Sequence, residues 1–140
     1  MALKMTIEEI HRFLVDVFPA VCDIFEVLAL SEDEITVRMK VSEKDIRPGG
    51  TVSGPTMFTL ADVSYYLATL SRIGPKELTV TTSCSIDFMR KPAATDLIAK
   101  ARVLKLGKVL SVGDVMLYSV GMEKPVAHAN LTYSIPKDHV

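Results

Sequence analysis

Little in this sequence supports chemistry that depends on sulfur, bound metal or a strong net charge. It has two cysteines, Cys22 and Cys84. With no secretory segment ahead of them, they predict free thiols in a reducing cytoplasm rather than a disulfide framework. The opening stretch MALKMTIEEIHRFL mixes acids into its apolar positions, unlike a signal peptide. The histidines, His11, His128 and His139, are scattered and neither cysteine has a close ligand partner, so no metal site is expected. No apolar run reaches the roughly 18 residues that a membrane span needs. A net charge of −1 gives the surface as a whole no attraction for nucleic acid or an anionic membrane. There is no GxSxG, phosphate-binding or dinucleotide-binding fingerprint, and no repeat, linker or low-complexity segment.

What remains is an apolar chain of one-domain size, residues 1–140. Hydrophobic residues make up 49%, at the apolar end for such a chain, and buried subunit contacts would account for that. Residues 6–18 predict an amphipathic helix. Thr6 and Glu9 fit a capping box, Ile7, Ile10, Leu14, Val17 and Phe18 recur at helical spacing, and Pro19 ends the run. Segments 22–30 and 34–41 read as a hairpin turning at Ser31-Glu32-Asp33. Its second strand alternates Ile35, Val37, Met39 and Val41 with polar residues. Residues 42–52 read as a loop punctuated by Pro48-Gly49-Gly50.

A long helix follows, with Ser53 as N-cap, Pro55 in the first turn and Gly74-Pro75 as its stop. Met57, Phe58, Leu60, Val63, Tyr65, Tyr66, Leu67 and Leu70 surround it, so it is expected to be enclosed. Strands are predicted at 78–88, 96–106, 109–120 and 125–135. The order is helix, two strands, enclosed helix, four strands. An antiparallel sheet around one central helix, an α+β arrangement, fits it best. One helix cannot cover the apolar face of six strands, so a second copy is expected to complete the core or extend the sheet.

Asp62 lies mid-helix among Leu60, Ala61, Val63 and Tyr66, where a carboxylate is costly unless hydrogen-bonded or paired. It is either a structural acid bonded to a neighbouring hydroxyl or backbone group, or a catalytic one. The helix start is the second candidate. Its unpartnered N–H groups carry partial positive charge and could polarise a carbonyl or hold an oxyanion. Pro55 has no N–H, which makes Gly54 the leading donor; the plain alternative is an ordinary capped helix. Gly54 and Asp62 are about 12 Å apart along one helix axis, too far to act on one carbonyl carbon. Acting together, they require Asp62 of one subunit to face Gly54 of another.

The strand LTVTTSCSIDF places Thr79, Thr81, Ser83, Ser85 and Asp87 on one face, a polar ladder that would line a slot, a dimer seam or solvent. Arg90, Lys91, Lys105 and Lys108 lie near strand ends and a hairpin. They suit the phosphates of a nucleotide tail, although exposed strand ends are often basic in any case. Cys84 reads as a buried, inert thiol and His128 as a surface strand residue.

The stretches GGTVSGPTMFTLADVSYYLA, SCSIDFMRKPA and LKLGKVLSVGDVMLY together resemble the hotdog-fold thioesterases, most closely the PaaI-type phenylacetate-pathway group, over residues 20–135. The resemblance implies a curved antiparallel sheet wrapped around one long central helix, a dimer that often pairs into a tetramer, and no metal or cofactor beyond the coenzyme A of the substrate. It implies that Asp62 corresponds to the catalytic carboxylate, as general base or nucleophile, and that the Gly54 N–H polarises the thioester carbonyl. A hydroxyl near Thr81 corresponds to a water-positioning residue. Three positions depart from the pattern. Ser53 stands where the family usually has His, Pro55 replaces a second Gly, and Arg47 stands about where many members have Asn or Gln. Arg47 could pair with Asp62 across a dimer and lower its basicity.

The expected substrate is an apolar or aromatic acyl-CoA, with Met57, Phe58 and Tyr66 around the acyl group. Arg47, Ser53, Ser83, Arg90, Lys91 and Lys108 are the further candidate contacts. Competing readings are a non-catalytic acyl-CoA-binding module and a hydratase or dehydratase. The hydratase reading lacks its histidine, because Ile46 and Arg47 precede Pro48-Gly49.

Overall fold

A computed structural model describes residues 2–137; His139 lies outside them. Helix α1 spans Ile7–Val17 and starts as the capping box predicts. Thr6 Oγ1 accepts from the Glu9 N–H at 3.2 Å, and Glu9 Oε1 accepts from the Thr6 N–H at 3.0 Å. Strands β1 (Phe25–Leu30) and β2 (Ile35–Met39) form the expected hairpin. The stretch read as loop is more ordered than its composition suggests. It holds a 3-10 turn at Glu43–Asp45 and a small hairpin of β3 (Ile46–Arg47) and β4 (Thr51–Val52). Gly49 and Gly50 turn that hairpin at φ 102° and 79°, values that side chains with a Cβ rarely adopt.

Helix α2, Gly54–Ile73, is followed by β5 (Val80–Phe88), β6 (Leu97–Leu106), β7 (Leu110–Ser119) and β8 (Ala127–Ser134). The main sheet is antiparallel with strand order β1-β2-β6-β7-β8-β5, and α2 packs on its inner face. That face carries small residues where the helix comes closest: Ala99, Ala101 and Ala129 beside Val115, Leu117 and Leu131, all buried. Tyr65, Leu60 and Leu67 of α2 are likewise sealed. Removing each such side chain from water contributes about 1.5–3 kcal/mol.

The enclosure of α2 is incomplete. Pro55, Phe58 and Thr59 are exposed and Asp62 and Val63 half-buried, so one stripe along its N-terminal half stays open. At the other end Arg72 is buried. Its guanidinium donates to the Ala68 carbonyl at 2.9 Å, the Glu32 carbonyl at 2.7 Å and the Ser31 carbonyl at 3.3 Å, clamping the β1–β2 turn to the helix.

Strand β5 is one of the two sheet edges, and most of its residues are exposed. The single polar ladder expected there does not form. The register passes from Thr81 opposite Tyr133 to Ser83 opposite Thr132, leaving Thr82 as an extra residue. A bulge of this kind reverses the facing of everything beyond it. Thr79 and Thr81 therefore point inward with Tyr133, whereas Ser83, Ser85 and Asp87 lie on the outer face with Asn130 and His128. His128 is on that outer face, as expected, and bonds to Asp114 Oδ2 at 3.0 Å.

Candidate active site

Three elements meet at Asp62. Helix α2 carries it on the open stripe, β5 brings Thr81, and β8 brings Tyr133 directly across the register from Thr81. The Thr81 hydroxyl donates to Asp62 Oδ1 at 2.6 Å, and so does the Tyr133 hydroxyl, also at 2.6 Å. Distances this short are typical of O–H donors on an ionised carboxylate. Tyr133 is buried, and its ring sits 5.7 Å from Tyr65 and 5.9 Å from Tyr66, centroid to centroid. Burial, and then the negative charge it faces at Asp62, push the Tyr133 hydroxyl far above the ordinary phenol range, so it stays a donor at any working pH.

Beside the carboxylate lies a cavity of about 340 Å³. Leu14, Phe18, Val21, Phe25, Val63 and Val80 make its wall mostly apolar, and Asp62, Tyr66, Thr79, Thr81, Tyr133 and Glu77 supply the polar atoms. Phe18, just past α1, meets Tyr66 edge-on at 5.9 Å, so α1 closes one side. The Tyr66 hydroxyl donates to the Glu77 carbonyl at 3.0 Å. Burial, reinforced by the Glu77 charge, pushes it up to about 12.

The start of α2 opens on a different cavity of about 770 Å³, lined by Arg47, Gly54, Phe88, Arg90 and Lys91 among others. Ser53 caps the helix as predicted, its Oγ accepting from the Thr56 N–H at 3.3 Å. Asp45 braces the same turn: its carboxylate accepts from Thr56 Oγ1 at 3.0 Å, and its carbonyl accepts from the Ser53 N–H at 2.8 Å. No partner for the Gly54 N–H is found among the described residues. A side chain at Gly54 would meet the Phe88 ring, with Cβ 3.4 Å from Cζ.

The predicted residues therefore separate into groups. Asp62, Thr81 and Tyr66 share the apolar cavity; Gly54, Arg47, Arg90 and Lys91 share the cationic one. Ser53 caps the helix between them. Ser83 faces outward beyond the bulge, and Lys108 is exposed at the β6–β7 turn, lining neither cavity. Sequence reasoning missed Tyr133, Thr79, Phe18 and Glu77 as neighbours of the carboxylate. Tyr133 had one signal: it ends the inward series Ala127, Ala129, Leu131, and a phenol finishing an apolar face usually has a buried partner for its hydroxyl.

The family profile of the thioesterase superfamily matches residues 49–126, more than half of the chain. The chain belongs to the thioesterase superfamily. Its architecture, a curved antiparallel sheet around one long helix, is the hotdog fold, and membership makes it a thioester hydrolase. A Pseudomonas aeruginosa protein named as an esterase is 32% identical over 108 residues, spanning 76% of this chain and 78% of its own. A solved structure from a Silicibacter species, named as a thioesterase, is 51% identical and superimposes with a TM-score of 0.90, covering 98% of this thioesterase and 96% of its own chain. A mutant of the phenylacetic acid degradation protein PaaI from Thermus thermophilus is 28% identical, with a TM-score of 0.71, covering 84% of this chain and 99% of its own. No helix among the described residues is long and apolar enough to cross a membrane.

Proposed function

We propose that this thioesterase hydrolyses the thioester of acyl-coenzyme A substrates whose acyl group is apolar or aromatic. The observation that carries this reading is a carboxylate anchored by two hydroxyls at the edge of a largely apolar cavity of about 340 Å³. The acyl group lies in that cavity against Phe18 and Tyr66, which puts its carbonyl carbon beside Asp62. As general base, Asp62 takes a proton from water, the water oxygen adds to the carbonyl carbon, and the intermediate expels the thiolate, which recovers the proton. As nucleophile, Asp62 adds to the carbon itself and the C–S bond breaks, expelling the thiolate; water then cleaves the resulting anhydride to free acid and the Asp62 carboxylate, and the thiolate takes up the proton released.

The electrophilic partner is the Gly54 N–H, at a helix start whose dipole favours a developing oxyanion. Arg47, Arg90 and Lys91 around the same cavity suit the phosphates of coenzyme A. Asp62 and Gly54 line different cavities, so the reading calls for two copies, each completing the other's site. The edge position of β5 and its exposed Val80 and Phe88 support pairing through that strand. Free thiols at Cys22 and Cys84 suit a cytoplasmic setting.

The test is thiol release across aliphatic and aromatic acyl-CoAs by wild type, Asp62→Asn and Asp62→Ala. Both variants are expected to lose about 100-fold or more in kcat. Activity that survives loss of the carboxylate rejects the assignment. Full activity in a strictly monomeric protein, measured by light scattering, rejects the shared site.

A further inference from the structure

The two oxygens of the Asp62 carboxylate are not equivalent. Oδ1 takes both short hydroxyl bonds, from Thr81 and Tyr133. Among the described residues Oδ2 takes none. A carboxylate oxygen offers two lone pairs, so two donors occupy Oδ1 fully. The two donors come from adjacent strands at one register step, which fixes them relative to each other without any loop.

Tyr133 is the more rigid of the pair. It is 3% exposed and held between Tyr65 and Tyr66, while Thr81 is on the exposed edge strand. The Tyr133 oxygen also lies 2.9 Å from the Asp62 carbonyl oxygen. One hydroxyl proton cannot serve both acceptors equally, and the charged oxygen at 2.6 Å is the stronger claimant.

We infer that Tyr133 is a positioning residue for hydrolysis: with Thr81 it occupies Asp62 Oδ1, fixes the plane of the carboxylate and leaves Oδ2 as the oxygen that reacts. This rests on the acyl-CoA hydrolase reading above and adds a residue and an atom to it. Thr81 changes character as a result. Its single proton is spent on Asp62, so towards a water molecule it can act only as an acceptor, orienting the water while Oδ2 takes the proton. Loss of the Tyr133 hydroxyl removes one of the two bonds to Oδ1 and lets the carboxylate rotate.

The experiment is thiol-release kinetics on Tyr133→Phe beside wild type and Asp62→Asn, with thermal denaturation of each. Tyr133→Phe is expected to lower kcat per folded molecule about 10- to 100-fold with KM within about threefold. A purely structural role would lower thermal stability and leave kcat per folded molecule at the wild-type value. Wild-type kcat overturns the inference while Asp62→Asn, if inactive, upholds the hydrolase reading. An active Asp62→Asn overturns that reading and this inference with it. Should Tyr133→Phe fail to fold, a ring-fluorinated tyrosine at position 133 keeps the shape and strengthens the donor. It is expected to change kcat with KM unchanged, and a wild-type kcat there overturns the inference equally.

Discussion

Gly113 offers the sharpest test of how the sheet supports the carboxylate. It lies on β7 directly beneath Tyr65 of α2. A Cβ added there would fall 2.5 Å from Tyr65 Cε1 and 2.8 Å from its hydroxyl oxygen, and would collide with the Arg102 carbonyl oxygen. The Tyr65 ring cannot simply swing away, because its hydroxyl bonds Ser111 Oγ at 2.8 Å, which also bonds Thr69 Oγ1 at 3.0 Å. The Arg102 obstacle is backbone within the β6–β7 ladder. Overpacking of this kind costs about 1–3 kcal/mol, and with one obstacle in the main chain we expect the upper part of that range. For a chain of this length Gly113→Ala should lower Tm by roughly 6–15 °C. Since Tyr65 packs on Tyr133, thiol release at 25 °C should also fall in the folded fraction. The assay is thermal denaturation followed by circular dichroism, with Gly107→Ala as control, where the new carbon would meet only the Leu110 carbonyl oxygen at 3.5 Å. A Gly113→Ala protein melting within about 2 °C of wild type would refute the packing argument.

Two further outcomes follow from buried charge. Arg72→Met keeps the apolar stem but drops the clamp on the β1–β2 turn; chemical denaturation should register a loss of about 2–4 kcal/mol, and a neutral result would show that the burial cost already cancels the bonds. Burial tends to raise the Asp114 carboxyl, but hydrogen bonds and charge from Arg102 and His128 outweigh it and hold the group below its ordinary 3.8. A folded value below the unfolded one stabilises the protein above the unfolded range and ceases to do so as pH falls through the folded value. Asp114→Asn should therefore cost about 1–2 kcal/mol at pH 7, discounted because Arg102 is half exposed, and the gap to wild type should close below about pH 3.8. A gap that stays constant from about pH 7 to about pH 3 would refute the assignment.

Most of the fold was legible because local signals agreed with one another. The Thr6–Glu9 capping box, Pro19 and Gly74-Pro75 bounded the helices, and period-two alternation in Ile35–Met39 located a strand with one buried face. Asp62 was legible as an acid in an apolar helix. Its partners were only half legible, since Tyr133 is 71 residues away and reaches it only through strand register. The bulge at Thr82 left no trace, because Thr, Thr and Ser look alike in polarity whichever way they face. The 3-10 turn and small hairpin within 43–52 depend on Asp45 reaching Ser42 and Thr56, contacts that composition does not encode. The two cavities depend on α1 and the strand ends closing around the central helix, which no local pattern describes.

The extra residue at position 82 divides β5 into two segments with separate duties. Upstream of it, Thr79 and Thr81 answer to the carboxylate; downstream, Ser83, Ser85 and Asp87 answer to whatever touches the outside of the sheet, while Cys84 and Ile86 turn towards the core and Phe88 towards Gly54. Changes at Ser83, Ser85 or Asp87 can thus reshape the exterior while the reacting group keeps its setting, so one short strand lets surface and chemistry diverge independently.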